Sequence, residues 1–279
     1  MEKTHEYVPG AALPWQYKYP HMAVTTDCVI FTYEDWTLKV LLVRRGGEPY
    51  KGSWAFPGGF LRLEETAMEG ALRELREETS LTPSSPIVQL GVFSDVDRDP
   101  RERVITIAWY ALVKPSEVVG GDDAAEAAWF PVDDLPPLAF DHAQIFSEAL
   151  ERLRQDIHFK PVGFDLLDDT FTIPDLQRLY ETILNRKFDR RNFQRKMMAS
   201  GILEEADEAE APDLCLREES PRLAMCAPEK AARPRYVPQE DRVDVSPAPK
   251  KRPGRIGSLF RLNRKNYERM KEEGDKFEF

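Results

Sequence analysis

Residues 59–81 read GFLRLEETAMEGALRELREETSL. Apolar Met68, Ala71, Leu72 and Leu75 recur at helical spacing, which predicts a helix over residues 65–79 that ends near Ser80. On such a helix Glu74, Glu77 and Glu78 fall at i, i+3 and i+4, so three carboxylates crowd onto one face. That crowding costs free energy unless a cation joins them. Mg²⁺, or Mn²⁺ in its place, is the natural candidate: it prefers hard oxygen ligands, takes only a few carboxylates, and leaves positions for water and phosphate. Pro57-Gly58-Gly59 just upstream reads as a turn that brings backbone close to the acidic face and leaves a carbonyl free to coordinate. The plain alternative is an acidic helix face that is merely solvated.

Outward from this helix, residues 23–32 and 39–44 are β-branched and apolar and flank a polar Tyr-Glu-Asp-Trp turn, the pattern of a hairpin. Further strands are predicted over residues 88–93, 104–112 and 128–131. A second helix should run from Asp141, as its cap, to Ile157, burying Ile145, Ala149, Leu150 and Leu153. Hairpins mixed with crossovers imply an α+β fold, an α/β/α sandwich around a mixed sheet, for this part of the chain. The whole sequence has 279 residues, 42% of them hydrophobic, enough for more than one core. No stretch reaches the ~20 apolar residues of a membrane span, and residues 1–16 lack the apolar run of a secretory signal. A cytoplasmic protein with no membrane partner is therefore expected. Cys28, Cys215 and Cys226 are too few and too scattered for a disulfide framework or a four-ligand zinc site.

The spacing around the acidic helix matches the Nudix box, G-x5-E-x7-R-E-U-x-E-E-x-G-U with U apolar, through Gly59, Glu65, Arg73, Glu74, Leu75, Glu77, Glu78 and Leu81. Only Ser80 departs, standing where the box has glycine; a glycine there could supply a left-handed helix end that serine adopts only at a cost. The resemblance implies a loop-helix-loop that binds a divalent cation and hydrolyses a nucleoside diphosphate joined to another group. Carried over by position, Glu74, Glu77, Glu78 and the Gly59 carbonyl would ligate the metal, while Arg73 and Glu65 would brace the helix. One of the glutamates would help activate water. Elsewhere, Arg98 or Arg101 in the loop Ser94 to Arg101 could hold substrate phosphate, with internal ion pairing as the competing reading; Arg44 and Arg45 at a strand end are candidate pocket residues, Arg44 among those expected to bind substrate. Glu126 is a possible extra ligand or a surface residue, and His142 a pocket residue or a helix-start residue.

Charge divides the rest of the chain. Residues 1–169 carry a net −13, whereas 170–203 carry +4 and 250–271 carry +8. Between the basic islands, 204–249 carries −6 and seven prolines without apolar periodicity, which predicts a disordered acidic insertion. In the first island Thr172 caps a helix with Pro174 in its first turn and Leu176, Leu179, Tyr180 and Ile183 on its apolar stripe. Asp189 caps a second helix that turns Phe193, Met197 and Met198 inward and presents Arg190, Arg191, Asn192, Gln194, Arg195 and Lys196. Those side chains hold phosphates and read base edges, so the pair fits a helix-turn-helix for double-stranded DNA. Arg252 and Arg255 in a glycine-containing turn, the strand 259–262 and a last helix from Arg264 complete a winged helix. A small helical accessory domain with a solvated basic face is the alternative.

A Nudix domain followed by such a winged helix resembles the bacterial Nudix-related transcriptional regulators. The likeness is carried by Arg45 with Glu48-Pro49-Tyr50-Lys51-Gly52, Asp97-Arg98-Asp99-Pro100-Arg101, Leu138-Ala139-Phe140-Asp141-His142 and Asp189-Arg190-Arg191-Asn192-Phe193. It implies a homodimer that senses ADP-ribose or a related nucleotide or sugar nucleotide and represses an operator. The resulting division is an extension over 1–20, a Nudix domain over 21–157, a winged helix-turn-helix over 158–204 and 250–279, and the insertion over 205–249. The alternative function is a Mg²⁺-dependent pyrophosphohydrolase whose basic tail serves assembly.

Overall fold

The computed structural model describes residues 18–83, 86–118, 120–121, 124–206 and 258–273. Most of the extension and of the acidic insertion, with Cys215, Cys226, Arg252 and Arg255, lies outside the described residues. The first half of the chain forms β1 (Ala23–Glu34), β2 (Thr37–Arg45), β3 (Trp54–Ala55), β4 (Gly58–Phe60), α1 (Ala67–Thr79), β5 (Val88–Phe93), β6 (Val104–Leu112), β7 (Ala124–Pro131) and α2 (His142–Phe159). The order across the sheet is β3-β2-β1-β6-β5, with β4 added to β1 and β7 to β2. β1 runs parallel to β6 and antiparallel to β2, so the sheet is mixed. The hairpin turns at Asp35 and Trp36, both at positive φ.

Side-chain alternation makes this sheet a partition. Cys28 and Ile30 of β1, Leu41 of β2 and Trp109 and Ala111 of β6 pack against Ala71 and Leu75 of α1. Their neighbours Val29, Phe31, Val40, Leu42, Tyr110 and Leu112 face the other way, toward Ile145, Ala149 and Leu153 of α2. That second core continues without a break into the C-terminal part: α3 (Ile173–Leu184), α4 (Arg190–Ala199), β9 (Leu203–Ala206), β10 (Leu259–Leu262) and α5 (Arg264–Glu273), with β8 (Phe171–Thr172) beside β10. Leu176, Leu179, Tyr180, Ile183, Phe193 and Met197 are buried in it. Arg154 Nε of α2 donates to the Ile183 carbonyl at 2.9 Å, and the Arg178 guanidinium lies 4.4 Å over the Trp36 ring, tying α3 to the sheet layer. β9 and β10 pair antiparallel as a wing, and residues 207–257 between them lie outside the described residues. Among the described residues no helix is long and apolar enough to cross a membrane.

Four local expectations are corrected. Gly58 and Gly59 are extended, not a turn: β4 pairs antiparallel with β1, and a Cβ on Gly58 would sit 2.1 Å from the Thr26 carbonyl oxygen, so close packing is what requires glycine. Met68 and Leu72 are 45% and 36% exposed, because α1 packs through Gly70, Ala71, Leu75 and Thr79 instead. Met198 is likewise exposed on α4. Asp141 precedes α2 but makes no side-chain cap bond, since its carboxylate is taken by Arg98. The two caps expected for the C-terminal helices hold, Thr172 forming a reciprocal capping box with Asp175 and Asp189 accepting from the Asn192 N–H; α1 starts at Ala67, where Thr66 and Glu69 form a box that the sequence reading does not name.

Candidate ligand cleft and DNA-binding face

A cleft of about 820 Å³ opens at the end of the sheet between α1, β4, the end of β2 and the loops that carry Arg98 to Arg101 and Phe140. Its acidic wall is α1. Helical spacing places Glu74, Glu77 and Glu78 there together, and β4 brings Gly59 against them; a Cβ on Gly59 would come 2.5 Å from Glu74 Oε1, so the carboxylate occupies the space that glycine leaves. Arg73 is the hub. It donates to Glu65 at 2.6 and 2.8 Å, to Glu74 at 2.7 Å, to Glu77 at 2.9 Å and to the Phe60 carbonyl at 3.2 Å. The hydrogen bonds from Arg73 hold the Glu65 carboxyl below its ordinary range, and the same bonds keep Arg73 charged.

The carboxylates therefore do not converge on one point. Glu74 and Glu77 are spent on Arg73, while Glu78 accepts from the Gly58 N–H at 2.9 Å. Among the described residues no three acidic, imidazole or thiol groups are gathered as a metal cage. The chain's own guanidinium relieves the crowding that the sequence alone assigned to a cation. Even so, Glu78 remains under stress: burial, opposed by the Gly58 bond and reinforced by Glu74 and Asp27, pushes it up to about 8. Burial also raises Glu74. Hard oxygen donors, desolvated beside each other and beside a glycine cradle, suit a divalent cation, which would relieve both.

The facing wall is basic and aromatic. Arg98 is buried and gives both Nε and Nη2 to Asp141, at 2.8 and 2.7 Å, so the internal pairing reading describes it. Arg101 gives Nε and Nη2 to Asp99, at 3.0 and 2.7 Å. Arg44 is half exposed, donates to the Gly52 carbonyl and lies 3.7 Å from Glu126, which places Glu126 in a surface contact. His142 lines the cleft and is buried; it accepts the Phe56 N–H on Nδ1 at 2.9 Å, stacks on the Phe56 ring, and is pushed by burial toward its neutral form. Behind it Asp27 accepts from Thr106 at 2.6 Å. Asp27 and Phe60 carry no role in the sequence reading, and Phe140 enters it only as part of the motif Leu138 to His142. A lone acid inside the apolar strand 23–32 is a signal for Asp27; nothing local marks the Phe60 ring or assigns the Phe140 ring a role.

On the far side of the shared core, α4 exposes Arg190, Arg191, Asn192, Gln194, Arg195 and Lys196 along one face while Phe193 and Met197 are buried. Tyr180 and Phe193 meet edge-on at 5.6 Å, and the Glu181 carboxylate holds the α3–α4 turn by accepting from Lys187, the Phe188 N–H and Gln177.

Comparison with known proteins gives two matched regions, a NUDIX domain over residues 22–151 and an NrtR DNA-binding winged helix domain over residues 163–213. The chain is 32% identical over 196 residues to the ADPR responsive transcriptional repressor NtrR of Acinetobacter baylyi, covering 68% of this chain and 78% of that protein. It is 44% identical over 132 residues to an ADP-ribose pyrophosphatase of Methanocaldococcus jannaschii, covering 47% and 75%. The crystal structure of Shewanella oneidensis NrtR complexed with a 27mer DNA superposes with a TM-score of 0.59 at 34% identity, over 66% of this chain and 85% of that one. Members of the Nudix superfamily generally use divalent metal cations. The partitioned sheet, the acidic helix and the wing thus have one common source, and the chain belongs to the NrtR family of Nudix proteins with a DNA-binding winged helix.

Proposed function

We propose that this protein is an ADP-ribose-responsive transcriptional repressor that binds its operator as a homodimer and releases it when the cleft is occupied. The observation that carries the reading is the unbroken apolar core. Residues of the strands that floor the cleft and of the helix that presents Arg190 to Lys196 belong to one continuous buried cluster, a physical route by which ligand binding would bias the DNA-binding helix. Two-fold symmetry would match two α4 helices to half-sites about one helical turn apart. Arg190, Arg191, Asn192, Gln194, Arg195 and Lys196 would meet phosphates and base edges, with Arg252 and Arg255 assigned to the wing. Fluorescence anisotropy with the protein's own promoter fragment should show salt-sensitive specific binding that ADP-ribose reverses. Specific binding that no nucleotide weakens would reject the sensor, and absence of specific binding would reject the repressor.

A second reading has its own support in the retained box residues Glu65, Arg73, Glu74, Glu77 and Glu78. Magnesium or manganese held by Glu74, Glu77, Glu78 and the Gly59 carbonyl would supply Lewis acidity and a nucleophilic water for diphosphate cleavage. Arg73 would keep Glu74 and Glu77 in place, Gly58 would orient Glu78 through its N–H, and Arg44, Arg98 and Arg101 would border the substrate. Release of AMP from ADP-ribose that Glu78→Gln abolishes is the expected sign. Ser80 caps α1 at φ 60 in the left-handed region, the conformation that favours glycine, so the single departure from the box carries local strain without removing a carboxylate.

A further inference from the structure

Besides Arg62 and Arg73 on the acidic side, four guanidiniums border the cleft, and their hydrogen-bond forks are committed to very different degrees. Arg98 and Arg101 each present two parallel donors to one carboxylate, the arrangement that fills a guanidinium most completely. Arg44 stands half in solvent. Arg45 differs from all three. It is partly buried, its Nε donates to the Pro49 carbonyl at 2.8 Å, and among the described residues neither of its terminal nitrogens has a hydrogen bond or a carboxylate within ion-pair distance. Glu78, Asp99 and Asp27 act on it only at longer range, while burial and the neighbouring Arg101 both disfavour its charge.

What holds Arg45 there is an aromatic shelf. Its guanidinium lies 4.8 Å over the Phe140 ring, and Phe140, at φ 52, is braced edge-on by Tyr50 at 4.8 Å and approached by His142 at 5.5 Å. Arg101 lies over Phe60 at 5.1 Å and reaches the same Phe140 ring at 5.9 Å. Stacking fixes the plane of the Arg45 fork without using its outward donors. A partly desolvated cation with unused donors, in a cleft whose opposite wall suits a divalent ion, calls for an anion between the two.

We propose that Arg45, set on the Phe140 shelf, is the ligand's diphosphate anchor, donating its two terminal nitrogens to non-bridging phosphate oxygens on the side away from α1. The assignment rests on the nucleotide-sensing reading and deepens it. It makes Arg45 a binding residue and Phe140 a positioning residue that sets affinity through phosphate and not through the base.

The test is calorimetric titration of the full-length protein and its variants with ADP-ribose and ADP, each variant first checked for an unchanged melting curve and unchanged operator binding without nucleotide. Arg45→Gln is expected to weaken both ligands about thirtyfold, the loss of a charge-assisted pair. Arg45→Lys should recover part of that loss, because charge returns without the planar fork, and Phe140→Leu should cost about fivefold. Equal ADP-ribose affinity in wild type and Arg45→Gln would overturn the anchor while leaving the sensor reading intact. No binding to wild type would overturn the sensor reading itself and the anchor with it. Should Arg45→Gln fail to fold, Arg45→Lys decides: affinity equal to wild type or weakened beyond thirtyfold means that packing, not phosphate, accounts for the residue.

Discussion

The cleft and the α4 face are both rich in arginine, yet they are built on opposite plans. In the cleft most charges already have partners within the chain: Arg73 with three glutamates, Arg98 with Asp141, Arg101 with Asp99. On α4 the side chains of Arg190, Arg191 and Arg195 are exposed, and among the described residues Arg195 donates to Asn192 Oδ1 at 2.6 Å. The difference teaches what each surface can discriminate. Charges locked in a partly dry site present fixed donors at fixed distances, which suits one small ligand. Solvated charges on a helix adapt to a long polyanion and gain affinity mainly by releasing its counterions, so salt weakens them.

The strongest way to break this contrast is to make the cleft resemble the surface. Arg73→Ala leaves Glu65, Glu74 and Glu77 without their common cation; since the Arg73 side chain is only 10% exposed, a loss of about 3 kcal/mol is expected in denaturant unfolding, with the melting temperature falling accordingly. A loss under ~1 kcal/mol would mean that the cleft charges are as loosely held as those of α4. The next effect is on the other surface: Arg190→Ala with Arg191→Ala should weaken operator binding about a hundredfold and reduce the slope of log K against log salt by about two, with ADP-ribose affinity unchanged. An unaltered slope would remove these residues from the phosphate contacts.

Gly59→Ala is subtler, because it adds one methyl 2.5 Å from Glu74 Oε1 and must push that carboxylate aside. Manganese affinity, followed by electron paramagnetic resonance, should fall about tenfold while the fold is retained. The smallest effect concerns the turn that aims α4. Burial raises the Glu181 carboxyl, but bonds from Lys187, the Phe188 N–H and Gln177 outweigh it and hold the group at about 2. A depressed carboxylate stabilises the fold above its unfolded value and loses that contribution as pH falls toward 2. Glu181→Gln should therefore flatten stability between about pH 4.5 and 2 in acid unfolding; an unchanged profile would assign the acid sensitivity elsewhere.

Most of the architecture was legible because it follows from period and cap chemistry. The strands 88–93 and 104–112 and the helices begun by Thr172 and Asp189 carry their signals within a few residues. The α1 face was misjudged at Met68 and Leu72 since a helical period fixes which residues share a face, not which face meets the sheet. Packing through Gly70, where a Cβ would come 2.4 Å from Leu61, decides that. The site divides in the same way. Glu74, Glu77 and Glu78 were found by spacing, whereas the commitment of Arg98 to Asp141, 43 positions apart, and the seating of Arg45 on Phe140 depend on the tertiary fold.

The sheet that separates α1 from α2 has a consequence for genetics. Adjacent residues of β1 belong to different cores, Ile30 supporting the acidic helix and Phe31 the layer that carries the DNA arm. A saturation scan along this one strand should therefore show phenotypes in stripes, every second codon biased toward inducer response and the codons between toward operator occupancy.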